Sequence, residues 1–189
     1  MLKGARMTRY LLMVVLLASS VSQMAAAAPA RSSWTDGKFS AAGLLGYGIG
    51  FDSTNEYGFG FGARGGYTFP FQLYVGPSFI YYVGTSPANN VSVHTFTLAA
   101  EAGYELVLGP VEVRPFLGIG LGVPSISVGV FNSASTAYFA LMPGGVVTWS
   151  FNGPLSTGPF VGGDVHLTWL PAAHGVNDLS LLATGGYRF

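Results

Sequence analysis

Leu179-Ser-Leu-Leu-Ala-Thr-Gly-Gly-Tyr-Arg-Phe189 ends the chain, and its reading decides the fold. One register holds Leu179, Leu181, Ala183, Gly185, Tyr187 and Phe189; the other holds Ser180, Leu182, Thr184, Gly186 and Arg188. A period of two sustained over this length is a strand signal and not a helix signal. Terminal residues of soluble proteins usually fray into water. An aromatic last residue instead suits a strand that ends at a membrane interface and closes a barrel on the first strand.

Composition points the same way. Half of the 189 residues are hydrophobic and only 8% are charged, about a third of the charge of an ordinary soluble domain. The 28 glycines and the supply of Tyr, Phe and Val favour strands over helices. There is no cysteine, which excludes disulfides, thiolate metal sites and a lipidated N-terminal cysteine. The formal charge is balanced, but Lys3, Arg6 and Arg9 lie at the start. Without them the chain is mildly acidic, so nucleic acid is not an expected partner.

Residues 1–30 have the order of a secretory signal: a basic start to Arg9, an apolar run over 10–18, then small and polar residues. The run is too short to span a bilayer, which takes about 20 residues. Cleavage is expected after Ala30, with Ala27 the other position, and residues 31–37 form a short linker in which Trp34 is a candidate interface anchor.

From Lys38 onward the chain divides into eight alternating runs: 38–50, 57–69, 73–84, 92–108, 111–123, 137–151, 158–169 and 179–189. Their lengths suit tilted membrane strands. Turn chemistry separates them at Asp52, Pro70, Ser86, Gly109-Pro110, Pro124, Asn152 and Pro171. Ile126, Val128 and Val130 offer an extension of the fifth and sixth runs beyond the bilayer. The fourth run is the clearest: Phe96, Leu98, Ala100, Ala102 and Tyr104 alternate with Thr95, Thr97, Ala99, Glu101, Gly103 and Glu105. A soluble sandwich would place Lys, Glu and Thr on its outer face, and this chain almost never does. The expected fold is all-β: an eight-stranded antiparallel transmembrane barrel with up-and-down connections, residues 38–189. Both termini are expected in the periplasm. Tyr57, Phe69, Trp149, Phe151, Trp169, Tyr187 and Phe189 are expected to face lipid at the two interfaces.

With this strand count, these turns and the terminal Gly-Tyr-Arg-Phe189, the chain resembles the small eight-stranded outer-membrane barrels of Gram-negative bacteria, the OmpA/OmpX-like group. The resemblance is one of architecture and transfers no site residue. It implies location in the outer membrane and recognition of the final strand by the outer-membrane assembly machinery. The loops here look shorter than those by which some members hold partners.

The apolar register outward puts Arg64, Glu101, Glu105, Glu112, Arg114, Asp164 and Arg188 in the lumen. An eight-stranded barrel is just wide enough for its side chains to fill, and charges left unpaired there are strongly destabilising. Glu105 and Arg114 are expected to meet across the Gly109 turn, and Asp164 and Arg188 between the last two strands. The histidines, His94, His166 and His174, do not gather enough ligands for a metal. Neither His166-Leu-Thr168 nor His94-Thr-Phe-Thr97 makes a lipid-facing nucleophile, base and acid, and Gly118, Gly120 and Gly122 lie within a strand and form no nucleotide loop. The reading is a monomeric outer-membrane barrel, not an enzyme, without cofactor or metal. Lipid surrounds it, and its role is structural or a surface interaction, with a lumen plugged by charge. A narrow pore for ions or very small solutes is the alternative, and a lipid-modifying barrel enzyme the third.

Overall fold

Tyr, Phe, Val and Leu alternating with glycine and small polar residues favour extended backbone, and the chain is strand almost throughout. A computed structural model describes residues 37–51, 57–84, 91–128, 131–132, 135–171 and 176–189. The leader, most of the linker with Trp34, and residues 52–56, 85–90 and 172–175 with His174 lie outside the described residues. Among the described residues no helix is long and apolar enough to cross a membrane, which says nothing of strands.

The strands are β1 (Lys38–Gly50), β2 (Gly58–Thr68), β3 (Leu73–Gly84), β4 (Val91–Tyr104), β5 (Leu106–Leu108), β6 (Val111–Val128), β7 (Phe131–Asn132), β8 (Tyr138–Ser150), β9 (Gly158–Leu170) and β10 (Val176–Arg188). β4 and β5 form one wall strand interrupted at Glu105, and β7 pairs only with the far end of β6. Eight wall strands remain. Each pairs antiparallel with its sequence neighbours, and β1 with β10 closes the ring. The fold is therefore the expected eight-stranded meander barrel. β1 and β3 have the expected bounds, while β6 runs on to Val128.

Register fixes the stagger. From Lys38 the pairing passes through Thr68, Tyr74, Gly103, Phe116, Gly144, His166 and Ser180 and returns to β1 at Gly48, ten residues further along. This shear tilts the strands and sets the width of the interior. Three prolines open the ladder. Pairing breaks between Arg64↔Ser78 and Tyr67↔Val75, where Pro77 lies, and between Leu141↔Trp169 and Gly144↔His166, where Pro143 lies. It breaks again beside Pro115, opposite Glu105. Proline has no N–H to give, and beside Pro77 the Tyr74 hydroxyl donates to the Gly65 carbonyl at 2.9 Å from inside the barrel.

Leu45, Phe61, Leu98, Ile119, Leu121, Val147, Val165 and Leu181 stand exposed on the outer face. In water so large an apolar surface marks a binding or membrane face; here it is a continuous belt. Trp149 and Phe151 lie together on it, as do Tyr187 and Phe189, with ring centroids 4.7 and 5.1 Å apart. Trp169 is exposed toward the other end, and half-buried Phe69 stacks on Phe71. Tyr57 departs from the expectation. It is 1% exposed and meets Tyr82 edge-on at 5.1 Å inside the barrel. It precedes the first residue of β2, so strand alternation no longer holds its side chain outward.

The inward glycines face large side chains. A Cβ at Gly60 would lie 2.8 Å from Tyr82, one at Gly66 2.5 Å from Tyr74, and one at Gly122 2.7 Å from Leu170. Small residues thus stand opposite large ones across a narrow interior. The protein is expected to run faster on a detergent gel unheated than boiled. Identical migration together with a helical circular dichroism spectrum would rule out the barrel.

Candidate functional site: the charged interior

Alternation along the strands brings Arg64 from β2, Glu101 from β4, Glu112 and Arg114 from β6, Asp164 from β9 and Arg188 from β10 into the interior, with Glu105 at the β4–β5 interruption. All seven are buried. They form three groups.

Arg64 holds two carboxylates. Its Nη2 donates to Glu101 Oε1 at 3.0 Å, while its Nε lies 2.7 Å from Glu101 Oε2 and its Nη1 2.7 Å from Asp164 Oδ2. The planar guanidinium presents its donors in a fork that suits such bidentate pairing, and Phe116 lies 4.9 Å beneath it. Arg114 pairs with Glu105 at 3.0 Å and packs 3.7 Å over the Tyr74 ring. Arg188 donates to both oxygens of Glu112, at 2.7 and 3.0 Å. Glu112 also accepts from Ser150 (2.8 Å), Thr148 (3.3 Å) and the Leu155 N–H (2.6 Å). It thereby ties the end of the last strand to β6, β8 and the turn over residues 151–157.

The expected pairing of Asp164 with Arg188 is not formed. Register places Arg188 opposite Gly158, six residues along β9 from Asp164, or about 20 Å. Each charge instead reaches across the lumen, Asp164 to β2 and Arg188 to β6.

The eighth run, read from Leu179, leaves Asp178 outside the expected strands. Asp178 lies in β10, fully buried, and accepts from Ser180 at 2.6 Å. Ser180 Oγ meets the Tyr82 hydroxyl at 2.7 Å, Tyr82 meets His166 Nε2 at 3.2 Å, and His166 Nδ1 meets Asp164 Oδ1 at 2.5 Å. Tyr82 lies on the inward register of β3, two residues beyond Ile80. Counting inward positions back from Ser180 would have found Asp178.

Arg64, Arg114 and Arg188, with Ser40, Thr148 and Thr184, line an enclosed cavity of ≈ 10 Å³, room for about one water. Among the described residues no three His, Cys, Asp or Glu side chains converge as a metal site.

Truncating Arg64 leaves Glu101 and Asp164 buried and uncompensated. Arg64→Ala is expected to cost about 3–5 kcal/mol in urea unfolding from lipid vesicles. The triple change Arg64→Met, Glu101→Gln and Asp164→Asn is expected to recover part of that. A loss for Arg64→Ala below about 1 kcal/mol would show that the carboxylates find water.

The solved structures similar to this chain share its fold. Neisserial surface protein A is 15% identical, with a TM-score of 0.60, over 80% of this chain and 95% of that one. Ail, the attachment invasion locus protein of Yersinia pestis, is 18% identical, with a TM-score of 0.54, over 81% and 97%. A major outer membrane protein of Thermus thermophilus is 16% identical, with a TM-score of 0.60, over 82% and 100%. No curated protein sequence matches this chain. The outer membrane protein beta-barrel domain profile matches residues 13–170, and with the closed, lipid-faced barrel above it, the chain belongs to that family of outer-membrane proteins.

Proposed function

We propose that this barrel is closed to solute by its own side chains, and acts through its place in the membrane and its outer surface. The observation that carries this reading is the filled interior. Large side chains stand over the inward glycines, and ion pairs cross between them. Residues 1–30 direct export, after which the assembly machinery takes the chain by its final strand. The barrel then stands as a monomer in outer-membrane lipid, with the Lys38 and Arg188 ends of β1 and β10 on the periplasmic side and the strand ends at Gly50, Gly84, Val128 and Leu170 on the outer side.

The surface role draws support from one feature of the rim. The β4–β6 ladder continues to Val91↔Val128, six residues past the first β8 pair at Gly122, and β7 folds back on its tip. This ribbon rises on the side opposite the termini. Its partner differs in chemistry from one known case. Ail has been solved with the heparin analogue sucrose octasulfate. From residue 37 on, the lysines and arginines here are Lys38, Arg64, Arg114 and Arg188. Three are interior, and Lys38 donates to Thr157 at the end that carries the termini. No lysine or arginine is left on the outer rim to hold a sulfated or phosphorylated polymer, so an uncharged or cationic partner fits better.

The protein is no hydrolase in this reading, because His166 and its hydroxyl neighbours are enclosed away from lipid acyl groups. Refolded into a planar bilayer, it is expected to show no resolvable current steps, and Arg64→Ala to leak. Steady steps from the unmodified protein would contradict the plug and favour a narrow pore for ions or very small solutes. Acyl chains released from outer-membrane lipid would make it an enzyme.

A further inference from the structure

We infer that Asp178, Ser180, Tyr82 and His166 form a proton relay, in which one proton is shared between the imidazole and the Asp178 carboxyl. The inference follows from counting hydrogens along the contacts. The separations are 2.6 Å from Asp178 to Ser180, 2.7 Å from Ser180 to Tyr82, 3.2 Å from Tyr82 to His166 and 2.5 Å from His166 to Asp164. A serine or tyrosine hydroxyl has a single hydrogen to give, and a ring nitrogen can donate only when protonated.

Two arrangements satisfy all four contacts with Asp164 ionised. In the first, Ser180 donates to ionised Asp178, Tyr82 donates to Ser180, and a doubly protonated His166 donates to Tyr82 and Asp164. In the second, neutral Asp178 donates to Ser180, Ser180 to Tyr82, and Tyr82 to His166 Nε2, while Nδ1–H still donates to Asp164. Both hold the same four hydrogens. They interconvert when the Nε2–H bond breaks as a Tyr82 O–H forms, the old Tyr82 O–H breaks as a Ser180 O–H forms, and the old Ser180 O–H breaks as an Asp178 O–H forms. No proton enters or leaves. One unit of positive charge moves from the Arg64 centre to the β10 end of the lumen. With one proton fewer, two hydrogens serve three contacts, and one of the contacts between Asp178, Ser180, Tyr82 and His166 is lost. All four groups are at most 1% exposed, so water does not replace a lost partner.

Thr168 of β9 lies opposite Asp178 in the β9–β10 ladder and is a further hydrogen-bond partner for its carboxyl. His166 meets the Phe116 ring of β6 at a centroid distance of 6.4 Å, and its Cβ lies close against Gly144 of β8. Asp178 lies against Gly48 of β1, and Tyr57 lies edge-on to Tyr82. Asp164 meets the His166 ring directly, Arg64 on β2 and Glu101 on β4 lie behind Asp164, and Asp178 interacts with the ring through space. The relay holds whether or not the lumen conducts.

Protein labelled with ¹⁵N-histidine and refolded in lipid reports the imidazole directly, with His166→Gln assigning the signal. Asp178→Asn is expected to displace the His166 titration midpoint. The same substitution made on Tyr82→Phe, which itself changes no charge, is expected to displace the midpoint less, by the through-space part alone. Ser180→Ala cuts the relay at another link and is expected to behave alike, which covers failure of Tyr82→Phe to fold. An equal displacement in intact and cut backgrounds would mean a through-space charge effect and overturn the relay. So would no displacement in the otherwise unmodified protein.

Discussion

In hydrocarbon every backbone N–H and C=O must find its partner within the protein, and the rest of this structure depends on that constraint. It requires the sheet to close, and closure with a shear of ten leaves an interior only wide enough for side chains. Pro77, Pro115 and Pro143, where pairing breaks, test the constraint locally. Each removes a donor from the wall, and at Pro77 the Tyr74 hydroxyl reaches out from the lumen to the carbonyl that pairing leaves over. The same ring supports Arg114. Wall and interior are thus one hydrogen-bonded system.

Closure in turn decides how charge is held. A carboxylate or guanidinium alone in so narrow a space would be strongly destabilising, and the barrel answers with partners that cross between distant strands. Arg64 joins β2 to β4 and β9, and Arg188 joins β10 to β6. These ties act between strands that share no backbone ladder. They hold the cross-section of the barrel as the ladders hold its circumference. Glu112 extends the system to the turn at one end, where Leu155 takes a φ of 52° as its N–H points at the carboxylate.

The period of two made most of this legible in the sequence. It assigns Arg64, Glu101, Glu105, Glu112, Arg114, Asp164 and Arg188 to the inward face, and alternation needs no knowledge of partners. Pairing across the lumen was not legible, because it depends on the shear, which no single strand encodes. The hairpin neighbour of Arg114 could be found through the Gly109 turn, whereas Asp164 finds its partner Arg64 on a strand near the other end of the chain. Tyr57 and Asp178 were misplaced for a related reason. Both lie at strand ends, where alternation hands over to loop geometry and a one-residue error reverses the face.

The absence of cysteine makes the central claim directly measurable. Single cysteines placed along β4 at the outward Leu98, Ala100 and Ala102, and at the inward Ala99 and Gly103, can each carry a spin label in lipid. The account predicts that labels at the first set collide with oxygen dissolved in the bilayer, and that labels at the second set meet neither oxygen nor a water-soluble nickel chelate. Inward labels reached by the chelate would show an open aqueous lumen and contradict the filled interior.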